Sequence, residues 1–182
     1  QIGQSIVVEN RTGAGTRAGT DYVAKAAPDG YTWLFGGLSN IALNMGLYKD
    51  LPYDSLRDFT PVGLAMLGSY TLVTRNESPH KTLKDVVAFA KANPGKLTYA
   101  SAGKGSGQHI AMAATEALTG VTMVHVPYRG AQAAYQDVMA GRVDLFFDST
   151  ATAKALVEGN SVRALAVSSR KRLPSLPDLP TL

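Results

Sequence analysis

The sequence predicts an α/β fold, and the second half of the chain carries the observations that predict it. From residue 97 onward, short β-type runs alternate with helical stripes until four strands and three helices have passed. Such alternation indicates strands that lie parallel in one sheet, joined by right-handed crossovers, with helices on the sheet faces. The composition allows a buried core, because 45% of the 182 residues are hydrophobic and only 18% are charged.

The elements of this half follow from periodicity and turn residues. Thr82, with Asp85 three residues later, forms a capping-box pattern, and apolar residues then recur at helical spacing up to the NPG turn at 93–95. Three further helical segments are predicted around 110–118, 131–139 and 150–158. The predicted strands are LTYA at 97–100, TMVHV at 122–126, VDLFF at 143–147 and VRALAV at 162–167.

Residues 1–75 are less regular. A helix is predicted over about 18–27, before the Pro-Asp-Gly turn at 28–30. The strands predicted in this half are SIVVE at 5–9, YTWLFG at 31–36, PVGLAML at 61–67 and YTLVTR at 70–75. These are elements of a second α/β lobe, but too few to close one. We therefore predict a partial first lobe over 1–75, a second lobe over 76–168 and a return segment toward the first lobe over 169–182.

Composition argues against several classes of protein. The chain has no cysteine, which excludes disulfides and thiolate zinc sites, and its three histidines lack metal-ligand spacing. No apolar run reaches the roughly 18 residues that a membrane span needs. The net charge of +4 is scattered, without the basic face interleaved with aromatics that nucleic-acid binders show. We expect no metal, no nucleic-acid partner and no membrane-embedded segment.

The stretch YASAGKGSGQH at 99–109 joins a predicted strand to a predicted helix through a glycine-rich turn. It fits neither the phosphate loop of nucleotide hydrolases nor the dinucleotide fingerprint, because its glycines have the wrong spacing. Its glycines still allow close approach of a ligand, and the first amides of the helix lack intrahelical partners. Together with the helix dipole and two hydroxyls, this predicts a seat for an anion. The candidate residues are Ser101, Gly103, Gly105, Ser106 and His109.

Two other turns, 127–130 and 148–150, are predicted at the same edge, where open parallel sheets bind ligands. Arg129 either pairs with a carboxylate or is a solvated surface arginine. Asp148 either accepts a hydrogen bond from a ligand amine or hydroxyl or caps the next helix, and we favour the cap. The FGGLSN segment after the strand at 31–36 offers ligand contacts or a helix cap. The further candidates are Tyr128, Arg129, Gly130, Asp148, Gly37, Ser39 and Asn40.

A hydrolase built from Ser106, His109 and Asp148 is disfavoured. A histidine three positions along the same helix is badly placed to take the serine proton, and no Gly-x-Ser-x-Gly elbow is present. We expect no catalytic residue and no cofactor. Two alternatives stay open: an α/β enzyme acting on a phosphate or ester, and the ligand-sensing domain of a regulator.

Several stretches together resemble the solute-binding proteins of tripartite tricarboxylate transporters, also called the Bug family, and the resemblance covers the whole chain. They are VVENRTGAGTRAGTDYVAKAAPDGYTWLF, LPYDSLRDFTPV, AKANPGKLTYASAGKGSGQH, HVPYRGAQAAYQDVMAGRVDLFFD and VRALAVSSRKRLPSLPDLPTL. The resemblance implies a fold like the type 2 periplasmic binding proteins. In that fold two lobes with mostly parallel sheets, flanked by helices, close over a small carboxylate: a di- or tricarboxylate, an acidic amino acid or an aromatic acid.

The resemblance also implies capture of the ligand in the periplasm and delivery to membrane permease subunits, without chemistry. The family's ligand loops fall on Ser101 to His109, Tyr128 to Gly130, Asp148 and Gly36 to Asn44. We further expect the intact protein to close like a clamp, with a hinge near 70–80 and again near 168–172. Family members begin with a secretory signal and a first-lobe loop and end with a C-terminal part, none of which this sequence contains. We therefore expect an incomplete first lobe and a half-site.

Overall fold

The computed structural model describes residues 3–11, 13 and 16–182. The chain forms two compact units, one up to residue 62 and one over residues 63–182. The lobe boundaries at 75 and 168 stay a prediction. The strand predicted at 70–75, however, lies in the sheet of the second unit and not in the first.

The first unit contains short helical segments. They are α1 Arg17–Ala24, a π-helical turn Leu38–Leu43 and α2 Asn44–Leu47. The helix predicted over 18–27 is confirmed, although it ends at Ala24. The strands predicted at 5–9, 31–36 and 61–67 are wrong, because the structure gives these residues no strand. Strand backbones need a neighbouring strand for their hydrogen bonds, and none of the described residues pairs with these segments.

The second unit contains a five-stranded sheet and four helices, close to the positions that the periodicity predicts. The strands are β1 Tyr70–Thr74, β2 Thr98–Ser101, β3 Val124–Pro127, β4 Leu145–Ser149 and β5 Arg163–Val167. The helices are α3 Leu83–Ala92, α4 Gly107–Thr119, α5 Ala131–Met139 and α6 Thr150–Glu158.

The sheet is mixed, with the strand order β3-β2-β4-β1-β5. β2 pairs in parallel with β3 and β4, whereas β1 pairs antiparallel with both β4 and β5. The four strands of the predicted alternation therefore run in one direction, as predicted. One antiparallel strand among five agrees with the expected mostly parallel sheet, but the alternation does not predict that β1 is the exception. The alternation could not show this, because β1 precedes the repeating pattern and was assigned to the other lobe.

Two apolar clusters cover the two faces of this sheet. Side chains along β4 alternate between them: Leu145 and Phe147 lie in one cluster with Met112 of α4, and Phe146 lies in the other with Tyr135 of α5. Phe146 and Phe147 are fully buried, and each such side chain stabilises the fold by roughly 1.5–3 kcal/mol relative to exposure. The alternation places the next β4 side chain, Asp148, on the face of Phe146.

The predicted capping box at the start of α3 is confirmed, and it supports a stability prediction. The Thr82 hydroxyl accepts the Asp85 N–H at 3.2 Å, and the Asp85 carboxylate accepts the Thr82 N–H at 2.9 Å. These hydrogen bonds lower the pKa of Asp85. We expect Thr82→Ala to reduce the free energy of unfolding in urea by about 1 kcal/mol, and to move the pKa of Asp85 upward.

The control is Thr122→Ala, which removes an exposed hydroxyl that makes no hydrogen bond within the described residues. Equal urea midpoints for the two variants would contradict the capping role.

Candidate functional site

The loop between β2 and α4 is the best-defined candidate site. Ser106 caps α4, and its hydroxyl accepts the His109 N–H at 3.3 Å. Gly103 has φ +115° and Gly105 has φ +80°, conformations that side chains strongly disfavour. The glycines at 103 and 105 are therefore required by the backbone path of this loop.

Ser101 braces the loop from the end of β2. Its side chain is fully buried, and its hydroxyl oxygen lies 2.6 Å from Nε2 of His125. The same oxygen accepts the Gly103 N–H at 3.0 Å and lies 3.1 Å from the Gly103 carbonyl oxygen. Because these contacts hold the first turn of the loop, Ser101 serves the site by fixing its backbone.

The N-terminus of α4 presents free backbone donors. No described residue accepts a hydrogen bond from the N–H groups of Gly107 or Gln108, the first two residues of the helix. Gly107 lies against the Tyr70 hydroxyl so closely that a Cβ atom there would collide with it. Lys104 is exposed in the same loop, and its charge acts on both His109 and His125. Free donors, the helix dipole and a lysine together favour an anion.

Three aromatic rings stack beside this loop. The ring centroid of His125 lies 5.0 Å from that of Tyr99 and 4.2 Å from that of His109. Nδ1 of His109 accepts the Gly105 N–H at 3.2 Å. Burial, His109 and Lys104 lower the pKa of His125 to about 4, and burial with Lys104 lowers the pKa of His109. Both imidazoles are therefore neutral at physiological pH.

Asp148 at the end of β4 is the second notable group. Its side chain is only 3% exposed; Oδ1 accepts a long hydrogen bond of 3.4 Å from Gln108, and Oδ2 has no partner among the described residues. The hydroxyl of Tyr135 likewise makes no well-formed hydrogen bond there, yet it lies close enough to Asp148 that each group shifts the pKa of the other. Burial raises the pKa of Asp148. Burial also raises the pKa of Tyr135, and the negative charge of Asp148 adds to that shift. The favoured capping role is wrong, because Ser149 occupies the cap of α6.

The turn at 128–130 follows β3 at the same edge. The Tyr128 N–H donates to the Ser101 carbonyl at 2.8 Å, which ties this turn to the glycine loop. The Tyr128 hydroxyl donates to the Asp137 carboxylate at 2.6 Å, and this hydrogen bond holds the Tyr128 side chain against α5. Arg129 is exposed and forms no ion pair with a described carboxylate, and Gly130 precedes the first residue of α5. Arg129 is therefore a solvated surface arginine in this structure, and its role toward a ligand stays a prediction.

The remaining candidates belong to the first unit. Asn40 is buried: its side-chain oxygen accepts the Gly37 N–H at 2.7 Å, and its side-chain nitrogen donates to Thr20 at 3.1 Å. The carbonyl of Asn40 accepts the Tyr53 hydroxyl at 2.9 Å. Asn40 therefore holds its own turn together, and the half-buried Ser39 and exposed Gly37 lie beside it. The other candidates all lie in the second unit, at one edge of its sheet.

The site lacks the arrangement that a hydrolase needs. Ser101 and His125 form a serine–histidine contact, but the serine is fully buried, and no carboxylate among the described residues hydrogen-bonds the histidine. Within the same residues, no group of histidine and acidic side chains could hold a metal ion. None of the helices in the described part of the chain is long and apolar enough to cross a membrane.

Several residues that complete this edge are not among the candidates that the sequence predicts. His125 lies inside a predicted strand, and its register opposite Tyr99 places it beside Ser101. Tyr70 was missed because its strand was assigned to the other lobe. The Gln108 and Tyr135 side chains meet Asp148 only through tertiary packing, for which the sequence carries no signal.

Comparison with known proteins identifies the family. Residues 1–182 match the family described as tripartite tricarboxylate transporter family receptor. The chain belongs to this family. It spans about half the length of the curated relatives it matches.

Solved structures agree with this membership in the receptor family. A periplasmic binding protein, BugD, is 36% identical, with a TM-score of 0.90 over 98% of this chain and 60% of its own. Rpa4515 of R. palustris with adipate is 35% identical, with a TM-score of 0.93 over 100% of this chain and 60% of its own. MatC from Rhodopseudomonas palustris with bound malate is 32% identical, with a TM-score of 0.88 over 99% and 61%. Receptors of this kind bind substrates for transport and are not enzymes.

Proposed function

We propose that this chain binds a small carboxylate at the edge of the sheet in its second unit, as the solute-binding component of a tripartite transporter. The observation that carries the proposal is the pair of free N–H groups at Gly107 and Gln108, which a rigid glycine loop presents at a helix N-terminus. A carboxylate accepts several such donors at once, and the helix dipole favours its charge. Lys104 and Arg129 add exposed positive charge near the same edge.

We propose further that Asp148 selects the second group of the ligand. A buried carboxylate oxygen without a hydrogen bond is costly, and a ligand that brings a donor removes this cost. A second bare carboxylate would meet charge repulsion there, whereas a hydroxyl or ammonium group would donate to the Asp148 carboxylate once the side chains that bury it move apart. The preferred ligand is therefore a carboxylate that also carries a hydroxyl or amino group.

The related structures support the carboxylate class, because one contains adipate and another malate, both of which are dicarboxylates. The relative described as a periplasmic binding protein supports capture in the periplasm. By the same family argument, the partner would be the membrane permease subunits, to which the ligand passes unchanged.

A thermal-shift screen tests the proposed function. The purified chain is heated with malate, succinate, adipate, inorganic phosphate and nucleotides, because a ligand that binds only the folded state raises the melting temperature. We expect a rise with at least one dicarboxylate and the same ligand recovered intact after incubation. A rise with phosphate or nucleotides alone, or consumption of the ligand, would favour the α/β enzyme instead.

The placement of the ligand is tested by Ser101→Ala. This variant loses the contacts that fix Gly103. We expect it to bind dicarboxylates about tenfold more weakly, because the lost free energy is roughly that of one hydrogen bond. Isothermal titration measures the change. The matched control is Ser78→Ala, which removes another buried serine that braces a turn away from this edge. Equal affinities for the two variants would show that the glycine loop is not the seat.

A further inference from the structure

The histidine pair beside the glycine loop has no role in the ligand contacts derived above. His109 and His125 come from different elements, α4 and β3, yet their rings stack at 4.2 Å. Each also touches the loop: His109 accepts the Gly105 N–H, and His125 contacts the Ser101 hydroxyl. The pair therefore connects the two ends of the loop through one stack.

We propose that His109 and His125 are positioning residues that hold the glycine loop in its anion-binding form only while both imidazoles are neutral. The inference rests on the proposed function for its effect on affinity, but its effect on the loop stands apart from any ligand. The chemistry follows from one atom. Nδ1 of His109 accepts a hydrogen bond from Gly105, and a proton on that atom would remove the acceptor.

The groups around the pair set the direction of this effect. Lys104 lies on the loop and disfavours a proton on either histidine, and a charge on His109 adds to that repulsion at His125. Glu116 of α4 opposes it at His109. Tyr99 of β2 stacks on His125, and burial together with Glu116 raises the pKa of Tyr99 to about 12, so that this phenol stays neutral. The balance is against protonation, because burial is the largest influence on both histidines.

Protonation of the histidines affects anion binding in two ways, and the effect on the loop backbone is the larger one. A charged imidazole attracts the anion, but such partly exposed charges contribute little in water. Loss of the Gly105 anchor releases the backbone that presents the free amides of α4. We therefore expect affinity to fall on acidification.

The first test needs no ligand. The imidazoles of all three histidines and the backbone amides are followed by NMR from about pH 7.5 to about pH 4, the range in which histidines titrate. His80, which packs on Phe89 of α3, is the internal control. We expect the Gly103 and Gly105 amide shifts to follow the titration of His109 and His125, whose pKa values burial lowers. Amides that follow His80, or that do not move when the pair titrates, would overturn the proposal.

Two conservative variants separate positioning from mere packing. His109→Asn keeps an acceptor oxygen near the position of Nδ1, and His125→Gln keeps a polar atom near that of Nε2, but neither side chain titrates. We expect the double variant still to bind malate at pH 7.5, so that its affinity can be followed on acidification. The ratio of its affinity to that of the wild type should rise at least about twofold by about pH 4, where His125 is half protonated, and the ratio cancels ionisation of the malate.

A constant ratio across this range would overturn the proposal even though malate binds. Absence of binding to any carboxylate at any pH would instead overturn the proposed function, and the loop amides would still decide the role of the histidines. His80→Gln is the matched control for affinity and is expected to keep the wild-type pH profile.

Discussion

Replacement of Asp148 with asparagine is expected to make the chain more stable and a poorer binder. Asp148 buries a charged oxygen that has no hydrogen bond within the described residues, and such a group costs about 1–3 kcal/mol. Asparagine keeps an acceptor for Gln108 and removes the charge, while its amide can donate to the Tyr135 hydroxyl. Natural binding sites commonly retain such a cost for the sake of function.

The stability gain has a defined pH dependence. Burial raises the pKa of Asp148, so the folded chain holds a proton on this carboxyl more tightly than the unfolded chain does. Such a group contributes its full stability below the unfolded pKa, and the contribution is lost as pH rises through the folded pKa. Urea denaturation should therefore give Asp148→Asn a free energy of unfolding about 1–3 kcal/mol above that of the wild type at neutral pH. This difference should shrink on acidification.

The binding loss distinguishes ligands. Malate donates its hydroxyl to Asp148 in the proposed pose, whereas succinate has the same two carboxylates and no hydroxyl. We expect Asp148→Asn to weaken malate binding at least tenfold, the worth of about one hydrogen bond to a charged group, and to leave succinate nearly unchanged.

The matched control is Asp144→Asn, just before β4. Asp144 already accepts two hydrogen bonds of 2.8 Å from Thr98, so this variant should lose stability and keep the ratio of malate to succinate affinity. A destabilised Asp148→Asn variant, or one with an unchanged ratio, would contradict the role given to Asp148.

Replacement of Gly103 with alanine should disrupt the anion seat through the backbone alone. At φ +115° a Cβ atom is strained, while the space around it is nearly open, with the closest atom 3.9 Å away. The strain costs about 1–2 kcal/mol if the loop keeps its path, and the chain can relieve it by moving the loop. We expect a fall in stability of that size and at least a tenfold loss of dicarboxylate affinity, measured by urea denaturation and isothermal titration.

Gly95→Ala separates the two effects. Gly95 has φ +70° with open space around it, and it lies in the turn after α3, away from the candidate site. The Gly95→Ala variant should lose about as much stability as Gly103→Ala and keep the wild-type affinity for dicarboxylates. If both variants bound equally, the conformation of the 103–105 backbone would have no part in the site.

The second unit was predictable because its signals are local. Periodicity and capping residues placed α3 to α6 within a few residues, and strand ends located the loops of the site. The antiparallel position of β1 was not predictable, because it depends on pairing between Tyr70–Thr74 and strands about 70 to 100 residues away. The strands wrongly predicted in the first half have the right composition but no partner strand among the residues that the structure describes.

The same distinction applies to the site. Ser101, Gly103, Gly105 and Ser106 could be found from a glycine-rich turn between a strand and a helix. Asp148 was found as a strand-end residue, but its lack of a partner is a property of packing. The stack of Tyr99, His125 and His109 joins three elements, and no single stretch of sequence contains it.

The most direct test of the central claim is the backbone amide NMR spectrum of the chain, recorded as malate is added. If the loop between β2 and α4 holds the carboxylate, the amides of Gly103 to Gln108 should shift most, with smaller changes at Ser149 and Thr150. No shifts anywhere, or shifts confined to residues remote from this edge such as 157–163, would contradict the account.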